Sequence, residues 1–367
     1  MNKSLLNFAI IFLVYFAASS QNINENFEKW PVVEDAINIT GIDISPDGKE
    51  VALVGGKMKA IYIYDYEGKN LIRKIPMEKD YLGYNVFYSA KGNYLTLQER
   101  VGEYSVKKSR EADFAIVDLN AGKVIQKFNR ISDAKITADE TQLITLENKK
   151  VIFRDLKSGK ILKEFKPDDA TNALAVSPDG QHLAIVKKPS KKEAAMLASK
   201  NVKKKTIKAA AKTKFLISIY DTESLELLSL VPEFYDNINL LYYMQKGKKL
   251  VSFNVAQNSY VNVALPHEDY QPTREGYLGR STTQPDFSYS PDGDYFGIAT
   301  YESFPSVNIY NVETNAIVDK YDTRMKIWKN IKNNIFAGTN TSFVFLPDDK
   351  HVLIAYGNSL IKWQLEK

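Results

Sequence analysis

The chain has 367 residues, 49 of them Lys or Arg and 44 Asp or Glu, with a formal charge of +5. It contains no cysteine, which excludes disulfides, thiolate metal centres, cysteine nucleophiles and lipid attachment to a cysteine behind a leader. The charge is uneven: residues 187–214 hold eleven lysines against the single acid Glu193, and the rest of the chain sums to −5.

The N-terminus reads as an address. Lys3 is the only charge in the first 20 residues, Leu5 to Ala18 is almost wholly apolar, and small residues follow at Ala17 to Ser20. This order predicts a secretory signal peptide over 1–20, cleaved before Gln21. The apolar stretch is shorter than the roughly 20 residues needed to span a bilayer. The mature chain is therefore expected to be exported, periplasmic or secreted, with no transmembrane segment after cleavage.

From residue 39 onward one short turn recurs seven times. Its copies begin at Ser45, Ser89, Thr137, Ser177, Met244, Ser290 and Leu346; the fullest are Ser45-Pro46-Asp47-Gly48, Ser177-Pro178-Asp179-Gly180 and Ser290-Pro291-Asp292-Gly293. Six positions after each start stands an apolar or aromatic residue: Val51, Leu95, Leu143, Leu183, Leu250, Phe296 and Val352. In the first repeat, Ile39 to Ser45 alternates as an inner strand and Glu50 to Gly55 returns. Ala60 to Tyr66 and Leu71 to Pro76 complete a four-stranded meander. Period-two alternation broken by Pro, Asp and Gly is the signal of half-buried antiparallel strands, and proline and glycine supply the φ values such turns need.

The third strands repeat as well, ending in Tyr64-Asp65, Val117-Asp118, Arg154-Asp155, Tyr220-Asp221, Tyr310-Asn311 and Trp363-Gln364. On these residues the chain resembles a degenerate, exported bacterial type of the WD-repeat-like β-propeller families, over almost all of its mature length. The Gly-His and Trp-Asp pairs of true WD repeats are missing. The repeats predict an all-β, seven-bladed β-propeller of four-stranded antiparallel blades over 24–367. Its seventh repeat, Ser342 to Leu365, is one strand short. The segment Asn26 to Val33 is expected to supply that strand and close the ring. The resemblance implies a fold and little about function, because propellers host many activities.

Long inserts gather where second strands join third strands and where repeats join one another: Glu99 to Ala112, Lys187 to Lys214, His267 to Thr283 and Lys326 to Thr341. These are expected on one face of the propeller. Tyr, Trp and Arg are the types that anchor protein interfaces. The loops offer Arg100, Tyr104 and Arg110, then Tyr270, Arg274, Tyr277 and Arg280, then Tyr301, Phe304 and Trp328. The insert 187–214 in the fourth repeat forms a basic projection, with Lys203, Lys204, Lys205 and Lys208 at its centre. It has helical propensity over Glu193 to Lys212. Met196, Leu197, Val202 and Ile207 make no single apolar stripe, which favours a solvated, partly disordered projection.

Asp133, Asn172, Asn239 and Asp286 fall by register at the mouth of the central channel, where their oxygens could ligate a hard cation, though such residues more often satisfy nearby backbone. His182 and His351 share a repeat position with Glu50, Tyr94, Gln142, Lys249 and Tyr295, which reads as a surface strand start. His267 has no spaced partner. No nucleophile elbow, phosphate-binding glycine loop or metal-helix spacing is present, and no cofactor is implied. The sequence thus favours a non-catalytic scaffold for a protein partner, an acidic one included, and admits an anionic envelope surface or glycan as an alternative partner. Nucleic acid is not expected, since the body is acidic and the lysines lack interleaved aromatics. The competing reading is a channel-mouth hydrolase or lactonase with Asp133 and Asp286 as its acids.

Overall fold

The computed structural model describes residues 27–31, 38–56, 58–77, 83–99, 111–167, 170–213, 215–232, 238, 240–254, 259–265, 275–277, 286–301, 305–322, 342–356 and 359–366. These residues are all-β apart from two short helices. β1 (Phe27–Pro31) stands alone before the repeats. The first sheet is β2 (Asn38–Ile44), β3 (Glu50–Gly56), β4 (Ala60–Asp65) and β5 (Leu71–Pro76). The second is β6 (Tyr84–Tyr88), β7 (Tyr94–Glu99), β8 (Ala112–Asp118) and β9 (Lys123–Ile131). The third is β10 (Asp133–Ile136), β11 (Gln142–Glu147), β12 (Lys150–Asp155) and β13 (Ile161–Phe165). The fourth is β14 (Ala170–Val176), β15 (His182–Lys187), β16 (Leu216–Asp221) and β17 (Leu227–Val231). The fifth is β18 (Leu240–Met244), β19 (Lys249–Asn254), β20 (Ser259–Ala264) and β21 (Glu275–Tyr277). The sixth is β22 (Phe287–Tyr289), β23 (Tyr295–Tyr301), β24 (Pro305–Asn311) and β25 (Ile317–Asp322). The last holds β26 (Ser342–Phe345), β27 (His351–Tyr356) and β28 (Ser359–Gln364), and β1 adds to it as the fourth strand. β1 runs antiparallel to β28, with Phe27 opposite Trp363 and Pro31 opposite Ser359.

The recurrent turn owes its sequence to hydrogen bonds that it makes to itself. Gly48 N–H donates to the Ser45 carbonyl at 2.8 Å, and Glu50 N–H donates to Ser45 Oγ at 2.8 Å. The Ser45 hydroxyl in turn donates to Asp47 Oδ1 at 2.7 Å. The same serine-centred bond recurs from Tyr94 N–H to Ser89, His182 N–H to Ser177 and Tyr295 N–H to Ser290. The fourth turn residue needs a left-handed backbone, and Gly48 takes φ 75° there. Two copies use a carboxylate residue instead: Glu140 at φ 59° and Asp349 at φ 56°. Both side chains then reach the turn of the preceding sheet, Glu140 accepting Lys91 N–H at 2.7 Å and Asp349 accepting Asp292 N–H at 3.3 Å.

Successive sheets share apolar clusters, each made from facing sides of two neighbours. Ile61 and Ile63 meet Val86 and Leu97 between the first and second sheets. Phe114 meets Leu143, Phe153 meets Leu174, and Ile217 meets Leu241 across the next three junctions. Phe253 packs with Phe287 and Phe296, and Val307 with Phe343 and Ile354. A further cluster joins Leu53 and Tyr62 of the first sheet to Val344, Leu353 and Leu360 of the last. Residues such as Phe153 and Phe296 are fully buried, so truncating either to Ala costs about 3–5 kcal/mol.

Among the described residues a polar lock accompanies four of these junctions. The residue of several outer strands that pairs with the same third-strand position reaches the next sheet: Arg73 Nη1 donates to the Leu119 carbonyl at 2.5 Å, and Gln126 donates to the Leu156 carbonyl. Lys163 Nζ donates to the Thr222 carbonyl at 2.7 Å, and Asp319 accepts Glu366 N–H at 2.9 Å. Three donors to a carbonyl and one acceptor of an N–H thus share one register position, which is why the repeat looks degenerate as sequence.

Two expectations change. The segment 275–277, read as part of a loop, is the outer strand of the fifth sheet, with Tyr277 opposite Ser259. The lysine-rich insert is an ordered helical hairpin: α1 (Lys191–Ser199) and α2 (Lys204–Thr213). Its apolar residues make no single stripe because the helix breaks between them, at Asn201 with φ 61°, where Val202 N–H turns back to the Leu197 carbonyl. Leu197 and Val202 then pack on Leu216 and Leu230 of the fourth sheet.

Candidate functional site

Two features stand apart from the repeating framework: a central cavity and the lysine hairpin. The cavity has a volume of about 550 Å³ and is lined by the first strand of every sheet, from β2 through β26. Its floor carries the prolines of the turns, Pro46, Pro178, Pro291 and Pro347.

Its chemistry is mixed. Asp43 lies on β2 and accepts Ile44 N–H at 2.9 Å through Oδ1 and Tyr88 N–H at 2.6 Å through Oδ2. Burial pushes its carboxyl up to about 7, against those two backbone donors, and the nearby Asp286 charge adds to the rise. Lys135 Nζ pairs with Asp133 Oδ1 at 2.9 Å and stands 5.6 Å from the centroid of the Tyr242 ring. Tyr242 stacks on Phe287 at 4.4 Å between centroids and touches Tyr289 at 6.0 Å, forming an aromatic wall. Tyr289 keeps 44% of its surface accessible, but that surface opens into the cavity, and this enclosure together with the Asp43 charge raises its phenol. Asn85 is 5% exposed and its Oδ1 has no hydrogen-bond partner. Tyr88 and Tyr243, which also line the cavity, bury unpartnered hydroxyls.

Asp133 and Asp286 do lie at the starts of inner strands, but their oxygens are engaged by backbone. Asp133 accepts Leu174 N–H at 3.0 Å as well as Ala134 N–H at 2.8 Å. Asp286 accepts Phe343 N–H at 3.1 Å and the Ser342 hydroxyl. Such carboxylates hold neighbouring sheets in register. Asn172 is buried with its Oδ1 unpartnered, and Asn239 lies outside the described residues. Among the described residues no group of three or more His, Asp or Glu comes together as a metal site would need. His351 Nδ1 sits 2.6 Å from Asp348 in its own turn. The repeat position that it shares is half-buried in most copies, and Tyr94 there is fully buried, so it is not a surface strand start throughout.

The second feature is the hairpin. Its only acid is turned inward: Glu193 accepts Lys187 Nζ at 2.8 and 2.9 Å, Ser190 N–H at 2.8 Å and the Ser218 hydroxyl at 3.1 Å. Ser190 and Glu193 form a capping box that starts α1. Lys187 and Glu193 are both buried. Outside that pair Lys188, Lys191, Lys192, Lys200, Lys203, Lys204, Lys205, Lys208 and Lys212 are all exposed, with no acid among them.

Of the loop anchors expected from the sequence, Arg100, Tyr104, Arg110, Tyr270, Arg274, Arg280, Phe304 and Trp328 lie outside the described residues. Tyr277 and Tyr301 are placed on β21 and β23. The sequence reading did not single out Asp43 or the Tyr242, Phe287 and Tyr289 wall. The available signal was an acid inside an otherwise apolar inner strand, Ile42-Asp43-Ile44.

Among the described residues no helix is long and apolar enough to cross a membrane. Compared with known proteins, the chain matches no protein-family model and no curated protein.

Proposed function

We propose that the chain is an exported seven-bladed β-propeller that serves as a non-catalytic scaffold for an acidic protein partner. Residues 1–20 act as its signal peptide and 24–367 as one propeller domain, closed where β1 enters the last blade. Support for the ring comes from the apolar cluster between the last and first sheets and from Ile42 N–H, which donates to Ser342 Oγ at 3.1 Å. In the same sense, a Cβ on Gly48 of the first turn would meet Pro347 of the last turn at 3.0 Å.

The observation that carries the scaffold reading is the hairpin. A helical pair fastened to the fourth sheet by a buried ion pair presents nine lysines on an ordered body. Fixed positive charge of this density steers and holds an acidic surface, with attraction that weakens as salt rises. The loop-face aromatics and arginines are proposed to supply the short-range contacts. Engagement of Asp133 and Asp286 by backbone donors favours this reading over hydrolysis at the channel mouth.

Affinity capture from solubilised native envelope tests the proposal. The mature chain is compared with a variant carrying Lys203→Glu, Lys204→Glu, Lys205→Glu and Lys208→Glu, at low and high salt. A stoichiometric protein retained by the mature chain, and lost by charge reversal or salt, is expected. Equal recovery with both chains at both salt levels would remove the hairpin from the interface.

A further inference from the structure

The central cavity has a charge imbalance that the scaffold reading does not use. Among the described residues two carboxylates line it, Asp43 and Asp286, and one cation, Lys135, which is already paired with Asp133 behind the wall. Asp286 is surrounded by its Phe343 and Ser342 donors. Asp43 has two backbone N–H donors, and among the described residues no cationic side chain pairs with it. A carboxylate in such a place is neutralised either by a proton or by a paired cation, and among the described residues the chain itself supplies no cation here.

Other lining groups narrow what that cation would be. Tyr242, Phe287 and Tyr289 present an aromatic wall beside the carboxylate, and Tyr289 is close enough to feel the Asp43 charge. The chain already uses this wall for a cation, since the Lys135 ammonium lies over Tyr242. Asn85 adds a buried, unpartnered carbonyl oxygen, an acceptor suited to an N–H donor. A hard metal ion would need six or more oxygens. Among the described residues no cluster supplies three ligating side chains. The volume of about 550 Å³ lies within the range of small-molecule sites.

We propose that the central cavity binds a small organic cation, an alkyl- or arylalkylammonium, with its charge against the Asp43 carboxylate and its apolar body on the Tyr242 and Tyr289 rings. This site is separate from the lysine hairpin, whose charge would repel the same ligand. The ionised form of Asp43 is the binding form. The titratable and charged groups that line the cavity with it are Asp286, which precedes β22, Tyr289 from β22, Tyr88 from β6, Tyr242 and Tyr243 from β18, and Lys135 from β10, the last paired with Asp133.

Isothermal calorimetry on the mature chain tests the site with two charged probes, 3,3-dimethylbutylammonium and benzylammonium. Their uncharged counterparts, 3,3-dimethylbutanol and benzyl alcohol, serve as controls. At pH 8 the charged probes are expected to bind at least about tenfold more tightly than the neutral ones, as one ion pair or cation–π contact would give. Affinity should fall about tenfold between pH 8 and pH 6 as Asp43 takes up its proton. Asp43→Asn should abolish the preference for charge. Tyr289→Leu, at a half-open ring that the core does not need, should weaken both charged probes while leaving the melting temperature in place. Equal affinity for charged and neutral probes overturns the proposal, as does no binding of either ammonium at 10 mM by a chain that folds (a concentration of about the weakest useful affinity). An unchanged affinity in a folded Asp43→Asn variant overturns it too. If that variant fails to fold, the pH series and Tyr289→Leu decide.

Discussion

Asp286 accepts the backbone N–H of Phe343 in the next sheet at 3.1 Å, and Asp133 does the same for Leu174 at 3.0 Å. Each acid stands four positions before its repeat's turn, and each partner three positions before the next. Ser342 repeats the relation from the last sheet to the first, accepting Ile42 N–H at 3.1 Å. An inner strand is the edge of its sheet, so its outward N–H groups need acceptors from elsewhere. Asp286→Ala removes the acceptor for a buried amide and a buried hydroxyl and should cost about 2–4 kcal/mol. Urea unfolding measures it. Unchanged or increased stability would instead mark Asp286 as a residue kept for chemistry.

Closure of the last sheet by β1 makes a second prediction. β1 covers the outer edge of β28 over five residue pairs, Phe27–Trp363 to Pro31–Ser359. Removing 24–33 exposes that edge and leaves the last sheet with three strands. Exposed edges recruit other chains, so the truncated protein should aggregate or melt well below the full chain. Size exclusion and thermal melting report on this, and a monomer with an unchanged melting temperature would refute the closing role.

How much of this was legible in the sequence depends on what each residue is constrained by. The seven turns stand out because Ser, Asp and Gly answer to backbone geometry: Ser45 must accept Glu50 N–H, and Gly48 must take φ 75°. Packing constrains only volume and polarity, so the inter-sheet locks at Arg73, Gln126, Lys163 and Asp319 share a position without sharing a side chain. β21 escaped notice because three residues, Glu275–Tyr277, are too few to show alternation. The sequence leaves the hairpin between helix and disorder because its apolar residues make no stripe on one helix: the break at Asn201 puts Met196 and Leu197 on α1, Ile207 on α2 and Val202 between them. Asp43 was passed over because register drew attention to strand starts such as Asp133. The chemistry of the cavity lies further along, where strands from distant parts of the chain converge.

The buried pair Lys187 and Glu193 fastens the hairpin and gives it a pH limit. Burial alone would raise the Glu193 carboxyl, but Lys187 and the Ser190 donors overcome it and hold the group below its ordinary 4.5. Its contribution to stability is therefore complete above pH 4.5 and is lost as pH falls through the depressed value in the fold. Glu193→Ala strands the Lys187 ammonium among buried groups, a loss of about 3–5 kcal/mol for that unit. The expected outcome is protease cleavage within 191–213 while the sheets survive. Resistance to limited proteolysis equal to the parent chain would show that Leu197 and Val202 hold the hairpin without the ion pair.

Asp43 gives stability the opposite slope. Its carboxyl titrates near 3.8 in an unfolded chain and near 7 in the fold. Below pH 3.8 both states are protonated and the residue costs nothing. Between these values the unfolded chain loses its proton first, so rising pH favours unfolding. Above pH 7 the penalty is constant, at most about 4 kcal/mol. Asp47, Asp139 and Asp179, each held low by a hydroxyl in its turn, act on the other side of pH 3.8: their contribution is present above it and is lost as pH falls below it. A comparison with Asp43→Asn isolates it. Asn offers one oxygen to the Ile44 and Tyr88 donors instead of two, an offset of about 1–3 kcal/mol that does not vary with pH. The stability of Asp43→Asn relative to the parent should therefore rise steadily from pH 4.5 to pH 7 and level off above. Urea midpoints at pH 4.5, 6, 7 and 8 would show the slope. A saturating ammonium ligand at pH 8 should reduce the difference by stabilising only the parent chain, which ties the folding energetics of Asp43 to occupancy of the cavity.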